Sequence, residues 1–292
     1  MQKMSFSGHE SFICKQFWLK KVYDYSTYGK GFSDSHAVVD LGVGKNMVAS
    51  LRYWGKSFGI LNDSDSPTRL ADLLLAGDGW DPYLEDIGTV WLLHYLLVTR
   101  NKASIYNLIF NEFRREKIEF TKDHLHAFLK RKCEENTSVV YNSKTITTDI
   151  NVFLRNYVKP SSSEKGIEIE EDFAGVLIDL NIVKHSKIKV EDKITSWYKI
   201  EGHHREDLPL AIFLYSILKT FPNQSTIPFR ELLLGINSPG SVFCLNADAL
   251  YDKLLQLTSK YKGITYSETA GNQILQIKNT FDPEHILNDY YK

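Results

Sequence analysis

The sequence predicts a mainly α, α+β chain: a winged helix-turn-helix unit at the N-terminus, a helical middle, and a second winged-helix-like unit at the C-terminus. Three observations carry this. Residues 45–57 repeat apolar side chains at helical spacing just after a glycine turn. Short β-prone runs flank turn residues at 58–70 and 264–277. Residues 101–200 read as helical, with breaks rich in Pro, Ser, Gly and His at 160–166 and 202–207. The chain has 292 residues, more than one compact core usually holds. The expected units are therefore 1–100, 101–200 and 201–292, with a linker at 160–166 and a second break at 202–207.

In the first unit, Ser33 or Asp34 caps a short helix that runs through Val39. Leu41-Gly42-Val43-Gly44 turns the chain, and Gly42 suits a left-handed position. The helix 45–57 then places Met47, Val48, Leu51 and Trp54 on one face and Lys45, Asn46, Ser50, Arg52 and Lys56 on the other. Residues 58–61 read as a strand, 62–67 as a hairpin loop, and Thr68-Arg69-Leu70 as the returning strand. Helix, turn, helix, strand, loop, strand is a winged helix-turn-helix layout. In it the second helix enters the major groove of DNA. Lys45, Asn46 and Ser50 are base-reading types, and Arg52, Lys56 and Arg69 suit phosphates. The same pattern also describes an amphipathic helix with a solvated polar face.

The C-terminal unit has a similar shape. Helices are expected at 227–234 and 246–258, and strands at 264–266 and 273–277 about Ala270-Gly271-Asn272. It reads as a second DNA-binding winged helix or as a protein-docking module, and fold alone does not choose.

Composition limits the function. The net charge is −1, so a nucleic-acid surface must be a local basic patch. Cys14, Cys133 and Cys244 form no CxxC pair and suit a reducing compartment. The N-terminus has no signal-peptide run, and the longest apolar stretch, 90–98, is interrupted by His94 and is too short to span a bilayer. A cytoplasmic protein with no membrane segment is expected. GVGKN at 42–46 lacks the spacing of a phosphate-binding loop, and neither GxSxG nor HExxH occurs.

Two segments offer catalytic chemistry. In Ser7-Gly8-His9-Glu10-Ser11-Phe12, His9 and Glu10 are acid–base or metal-ligand types, although Ser7 and Glu10 also fit a capping box. In 77–86, Asp78, Asp81, Glu85 and Asp86 are carboxylates of the kind that bind Mg or Mn for phosphodiester chemistry. The same acids suit the start of the helix that follows. His94, on an apolar helix, reads as a hydrogen-bonded core histidine. His203-His204 lacks an acidic motif of fixed spacing.

FSGHESF (6–12), LGVGKNMVASLRYWGKSFGI (41–60), GDGWDPYLEDIGTVWLLHYLL (77–97) and TTDINVFLRNYV (147–158) together resemble a bacterial domain-of-unknown-function family. Its members lie in DNA phosphorothioation and phage-defence gene clusters. The resemblance covers the first 160 residues well and the remainder more loosely. It implies a nickase that opens one strand of double-stranded DNA so that sulfur can replace a non-bridging phosphate oxygen. Implied partners are a cysteine desulfurase, an ATPase and a sulfurtransferase resembling the phosphoadenosine-phosphosulfate (PAPS) reductases. The resemblance assigns no catalytic residues. The rival expectation is a non-catalytic adaptor that reads DNA and recruits the sulfurtransferase.

Overall fold

Glycine and capping residues divide the N-terminal third into five helices, described with the rest of the chain in a computed structural model. The described residues are 4–136, 139–159, 175–190, 193–269 and 271–292. Helices α1 (Trp18–Thr27), α2 (Ala37–Leu41) and α3 (Lys45–Ser57) come first. Gly42, at φ 64°, ends α2 in the left-handed conformation that a side chain resists. Val48, Leu51 and Trp54 are buried along α3, as their spacing requires.

No strand hairpin follows α3. Leu61 and Pro67 form an isolated antiparallel bridge, and residues 62–66 make a tight loop in which Asn62 Oδ1 accepts from the Ser64 and Ser66 N–H groups. The expected returning strand is instead the start of α4 (Arg69–Leu75). The Thr68 side chain accepts from Ala71 N and donates to Gly59 O, so it caps a helix where strand propensity suggested a ladder. Helix α5 (Ile87–Arg100) is capped by Asp86 and buried on nearly every side, which fits its apolar composition.

The middle region is not purely helical. Helix α6 (Ser104–Leu108) runs into a π-helical turn, Ile109–Phe113, and then α7 (Arg114–Glu116). Strand β1 (Glu119–Phe120) leads to α8 (Lys122–Glu135), capped by Thr121, and α9 (Ser143–Tyr157), capped by Asn142. Strands β2 (Lys184–Val190) and β3 (Lys193–Lys199) form a hairpin, and β1 joins it in the order β1-β3-β2. Neither KHSKIKV nor KITSWYK alternates apolar and polar residues along its whole length, so no clear period of two marks these strands in the sequence. The linker expected at 160–166 lies outside the described residues.

In the C-terminal part, α10 (Leu210–Thr220) precedes β4 (Thr226–Pro228), α11 (Phe229–Leu234), α12 (Pro239–Val242) and α13 (Ala247–Lys260). Strands β5 (Ile264–Thr269) and β6 (Asn272–Ile277) then form a hairpin with Thr269 opposite Asn272, and α14 (Pro283–Tyr291) ends the chain. The sheet order is β4-β6-β5. Residues 227 and 228, expected in a helix, pair with β6 because Pro228 cannot sit inside a helix and serves as the cap of α11. Buried apolar side chains from Met4 to Leu287 belong to one cluster. Among the described residues, no helix is long and apolar enough to cross a membrane.

Candidate functional site

The cations of α3 are mostly matched by internal carboxylates. Arg52 donates to Asp65 through Nε (2.8 Å) and Nη2 (2.7 Å). Lys56 Nζ lies 2.9 Å from Asp65 Oδ1 and also donates to Asp63 O. The Arg52 guanidinium holds the Asp65 carboxyl below the usual carboxylate range. Arg69, on α4 rather than a wing, pairs with Glu284 of α14 at 2.6 Å. Three cations assigned to phosphates are therefore neutralised within the protein. Water screens such exposed pairs, so their larger effect is on surface charge.

Ser50 is fully buried and its hydroxyl has no hydrogen-bond partner, so it does not face a groove. The helical period explains the correction: position 50 lies within one turn of both Met47 and Trp54, on the inner face. Lys45 and Asn46 are exposed at the start of α3.

His9 and Glu10 occupy a turn instead of a capped helix start. Ser7 (φ 71°), Gly8 (94°), Glu10 (46°) and Ser11 (64°) all adopt positive φ. Gly8 is required there, since a Cβ would sit 2.5 Å from Tyr53 Cδ2. The turn seats His9 in a slot where it is only 3% exposed and stacked on Trp54. Ser11 N–H donates to His9 Nδ1 (3.1 Å), which leaves the proton on Nε2 to donate to Asp149 Oδ1 at 3.0 Å. Asp149, on α9, also accepts from Ser7 N. A sealed imidazole with both nitrogens bonded clamps the N-terminal turn to α9 and offers nothing to a substrate. Glu10 is exposed and apart from that pair. Sequence reasoning did not single out Asp149, although it lies inside the TTDINVFLRNYV segment.

The acidic segment is not gathered around a common point. Asp81 is buried and accepts from Glu85 N (2.9 Å) and Asp86 N (3.0 Å). Asp86 accepts from Gly88 N, Thr89 N and Tyr290 Oη. Burial, and then the neighbouring Asp86, raise the Tyr290 hydroxyl above its ordinary pKa. Asp78 and Glu85 are exposed. Among the described residues, no three His, Cys, Asp or Glu side chains are grouped to hold a metal. Asp81 and Asp86 therefore serve local structure, as backbone acceptor and helix cap.

Residues 6–291 match the family described as "Protein of unknown function (DUF4007)". The chain belongs to that family. Two solved structures resemble this DUF4007 protein over nearly its whole length. One, "Magnesium ion-bound SspB crystal structure", is 26% identical with a TM-score of 0.84 and covers 98% of this chain and 88% of its own. The other, "SspB crystal structure", is 25% identical with a TM-score of 0.80 and the same coverage of 98% and 88%. Among curated proteins, none matches the chain.

This DUF4007 chain also has a cleft of about 480 Å³ that sequence reading did not find. Gly59, Tyr95, Thr99 and Arg100 line it together with Lys219 and Asn237, and the Tyr95 hydroxyl lies 3.0 Å from Thr220 Oγ1. Gly59, at φ 74°, admits the Arg100 side chain, whose Nε would lie 2.9 Å from an added Cβ. Its lining comes from elements far apart in sequence, so no contiguous motif announces it.

Proposed function

We propose that this protein is the DNA-nicking component of a bacterial DNA phosphorothioation defence system. It hydrolyses one phosphodiester of double-stranded DNA so that a sulfur-transfer complex can replace a non-bridging phosphate oxygen. The observation that carries the reading is the likeness to SspB across 98% of the chain, together with the four motifs shared with the phosphorothioation family. A cytoplasmic setting, and partnership with a cysteine desulfurase, an ATPase and a PAPS-reductase-like sulfurtransferase, belong to the same proposal. So does a winged-helix assignment. It is best supported in the C-terminal part, where helix, strand, helices, strand, strand occur with sheet order β4-β6-β5.

A magnesium ion is bound in one of the similar structures. The residues at 78–86 do not fit such a site here, because Asp81 and Asp86 are committed to backbone N–H groups. Dependence of nicking on Mg or Mn is thus proposed without assigned ligands, and no step is built through them.

A second reading, the non-catalytic DNA-binding adaptor, is favoured by one observation. His9 is sealed and Asp78, Asp81, Glu85 and Asp86 are not grouped, so among the described residues these candidates offer no open acid–base pair. Supercoiled plasmid incubated with purified protein and Mg or Mn separates the two. Conversion to the open circle supports the nickase. A mobility shift with intact supercoil supports the adaptor. Intact supercoil with no mobility shift overturns both readings.

A further inference from the structure

The cleft lined by α5 and α10 holds hydrogen-bond donors to which the fold gives no acceptor. Tyr215, on α10, lines it and is only 5% exposed, yet its hydroxyl has no hydrogen-bond partner among the described residues. A buried hydroxyl in that state costs free energy that an acceptor would recover. Burial, and then the neighbouring Tyr95, push its pKa up, so the group keeps its proton and stays a donor. Asn237 is held in the same cleft by its neighbours. Its Oδ1 accepts from Asn107 Nδ2 (3.0 Å) and Asn111 Nδ2 (2.9 Å), and its main-chain N–H donates to Asn111 Oδ1 (2.7 Å). These bonds fix the amide, and its Nδ2 bonds to no described residue. The threonines are different: Thr99 donates to Tyr95 O and Thr220 to Asn237 O, so their protons are already used.

The charge of the cleft has one sign. Arg100 closes α5 and Lys219 lies in the last turn of α10, where helix carbonyl ends favour cations. Neither side chain makes a hydrogen bond or ion pair among the described residues, although Lys219 Nζ lies 5.8 Å from the centre of the Tyr215 ring. Among the described residues that line the cleft there is no Asp or Glu. Two acids lie within electrostatic reach, Asp63 of Arg100 and Glu284 of Tyr215. Each is taken by another cation: Lys102 pairs with Asp63 at 2.7 Å and Arg69 with Glu284 at 2.6 Å.

We infer that this cleft binds a phosphate group, with Arg100 and Lys219 supplying the charge and Tyr215 and Asn237 donating to its oxygens. Phosphate fits because it offers several acceptor oxygens and full negative charge to donors that come from different directions. The partial charges of two helix ends do not neutralise two cations, and an oxyanion does. Taking a DNA phosphodiester as the source rests on the DNA-binding reading above; the site itself stands on these four side chains. It also places a nucleic-acid contact away from α3, whose cations Arg52 and Lys56 are spent on Asp65.

Two probes of the full-length protein test this: fluorescence anisotropy with a labelled short DNA duplex across a salt series, and thermal melting with inorganic phosphate at matched ionic strength. Arg100→Gln and Lys219→Gln each weaken duplex binding about tenfold and lower the salt slope by about one. Tyr215→Phe weakens it about fivefold yet leaves the melting temperature of the free protein unchanged, because the lost hydroxyl bonds to nothing within the fold. Lys45→Gln, an exposed charge outside the cleft, changes affinity less than about twofold. Inorganic phosphate raises the melting temperature of the wild type but not of the Arg100→Gln/Lys219→Gln variant. If phosphate stabilises the wild type in this way while the duplex does not bind, the site stands with free phosphate as its ligand and the DNA-binding reading falls. If neither probe responds to the cleft substitutions, the inference falls, and duplex binding that survives them keeps the DNA-binding reading intact. A loss as large at Lys45→Gln as at Arg100→Gln shows a diffuse charge effect and also overturns the site.

Discussion

His94 shows how one buried side chain sets a pH dependence. It is fully buried on α5, donates from Nε2 to Val242 O (2.8 Å) and accepts at Nδ1 from the Tyr157 hydroxyl (2.8 Å). Burial pushes its pKa down to about 4. An unfolded chain releases that proton near pH 6.5, so the neutral bonded form stabilises the fold fully above that value. The stability is lost as pH falls through the folded value, and the gap corresponds to roughly 3 kcal/mol once pH is below both. Urea midpoints measured from pH 7 to 4 should fall steeply for the wild type and less for His94→Gln, which keeps a donor and an acceptor but does not titrate. Equal slopes for the two proteins would remove His94 as the cause. This role was readable from sequence because a lone histidine on an apolar helix has few other ways to be satisfied. Asp149 was not readable, since its partner His9 lies 140 positions away and only the folded chain joins them.

At the scale of elements, local signals succeeded where one residue type decides the outcome. The Gly42 turn and the period of 45–57 gave α3 with its observed bounds, Lys45–Ser57. They failed where two structures compete for the same residues. Thr68-Arg69-Leu70 has strand character, yet the Thr68 hydroxyl bonds to Ala71 N and Gly59 O and starts α4. A cap of this kind contributes about 1 kcal/mol. Thr68→Val keeps the shape and strand propensity but removes the hydroxyl, so it should lower stability to urea by about that amount. A neutral or stabilising Thr68→Val would restore the strand reading. The middle sheet escaped notice for another reason. Strand β1 is two residues long, and its partner β3 lies more than seventy positions later, so no local window contains the pairing.

Across the whole molecule, α14 ties the two ends of the chain together. Tyr291 stacks on Trp80 with ring centroids 5.1 Å apart and bonds to Thr89, Tyr290 donates to Asp86, and Glu284 pairs with Arg69. Leu287, fully buried on the same helix, joins the cluster that extends back to Met4. An interface that continues the core in this way couples the unfolding of its two sides, whereas a small polar contact between independent domains would not. Leu287→Ala removes a packed side chain at that junction and should cost about 3 kcal/mol. Calorimetry should show the loss as one transition moved to lower temperature. Two separated transitions in either protein would mean that the N-terminal and C-terminal parts fold independently. In that case α14 is an attached arm, and the segment limits expected from sequence, 1–100, 101–200 and 201–292, describe autonomous domains after all.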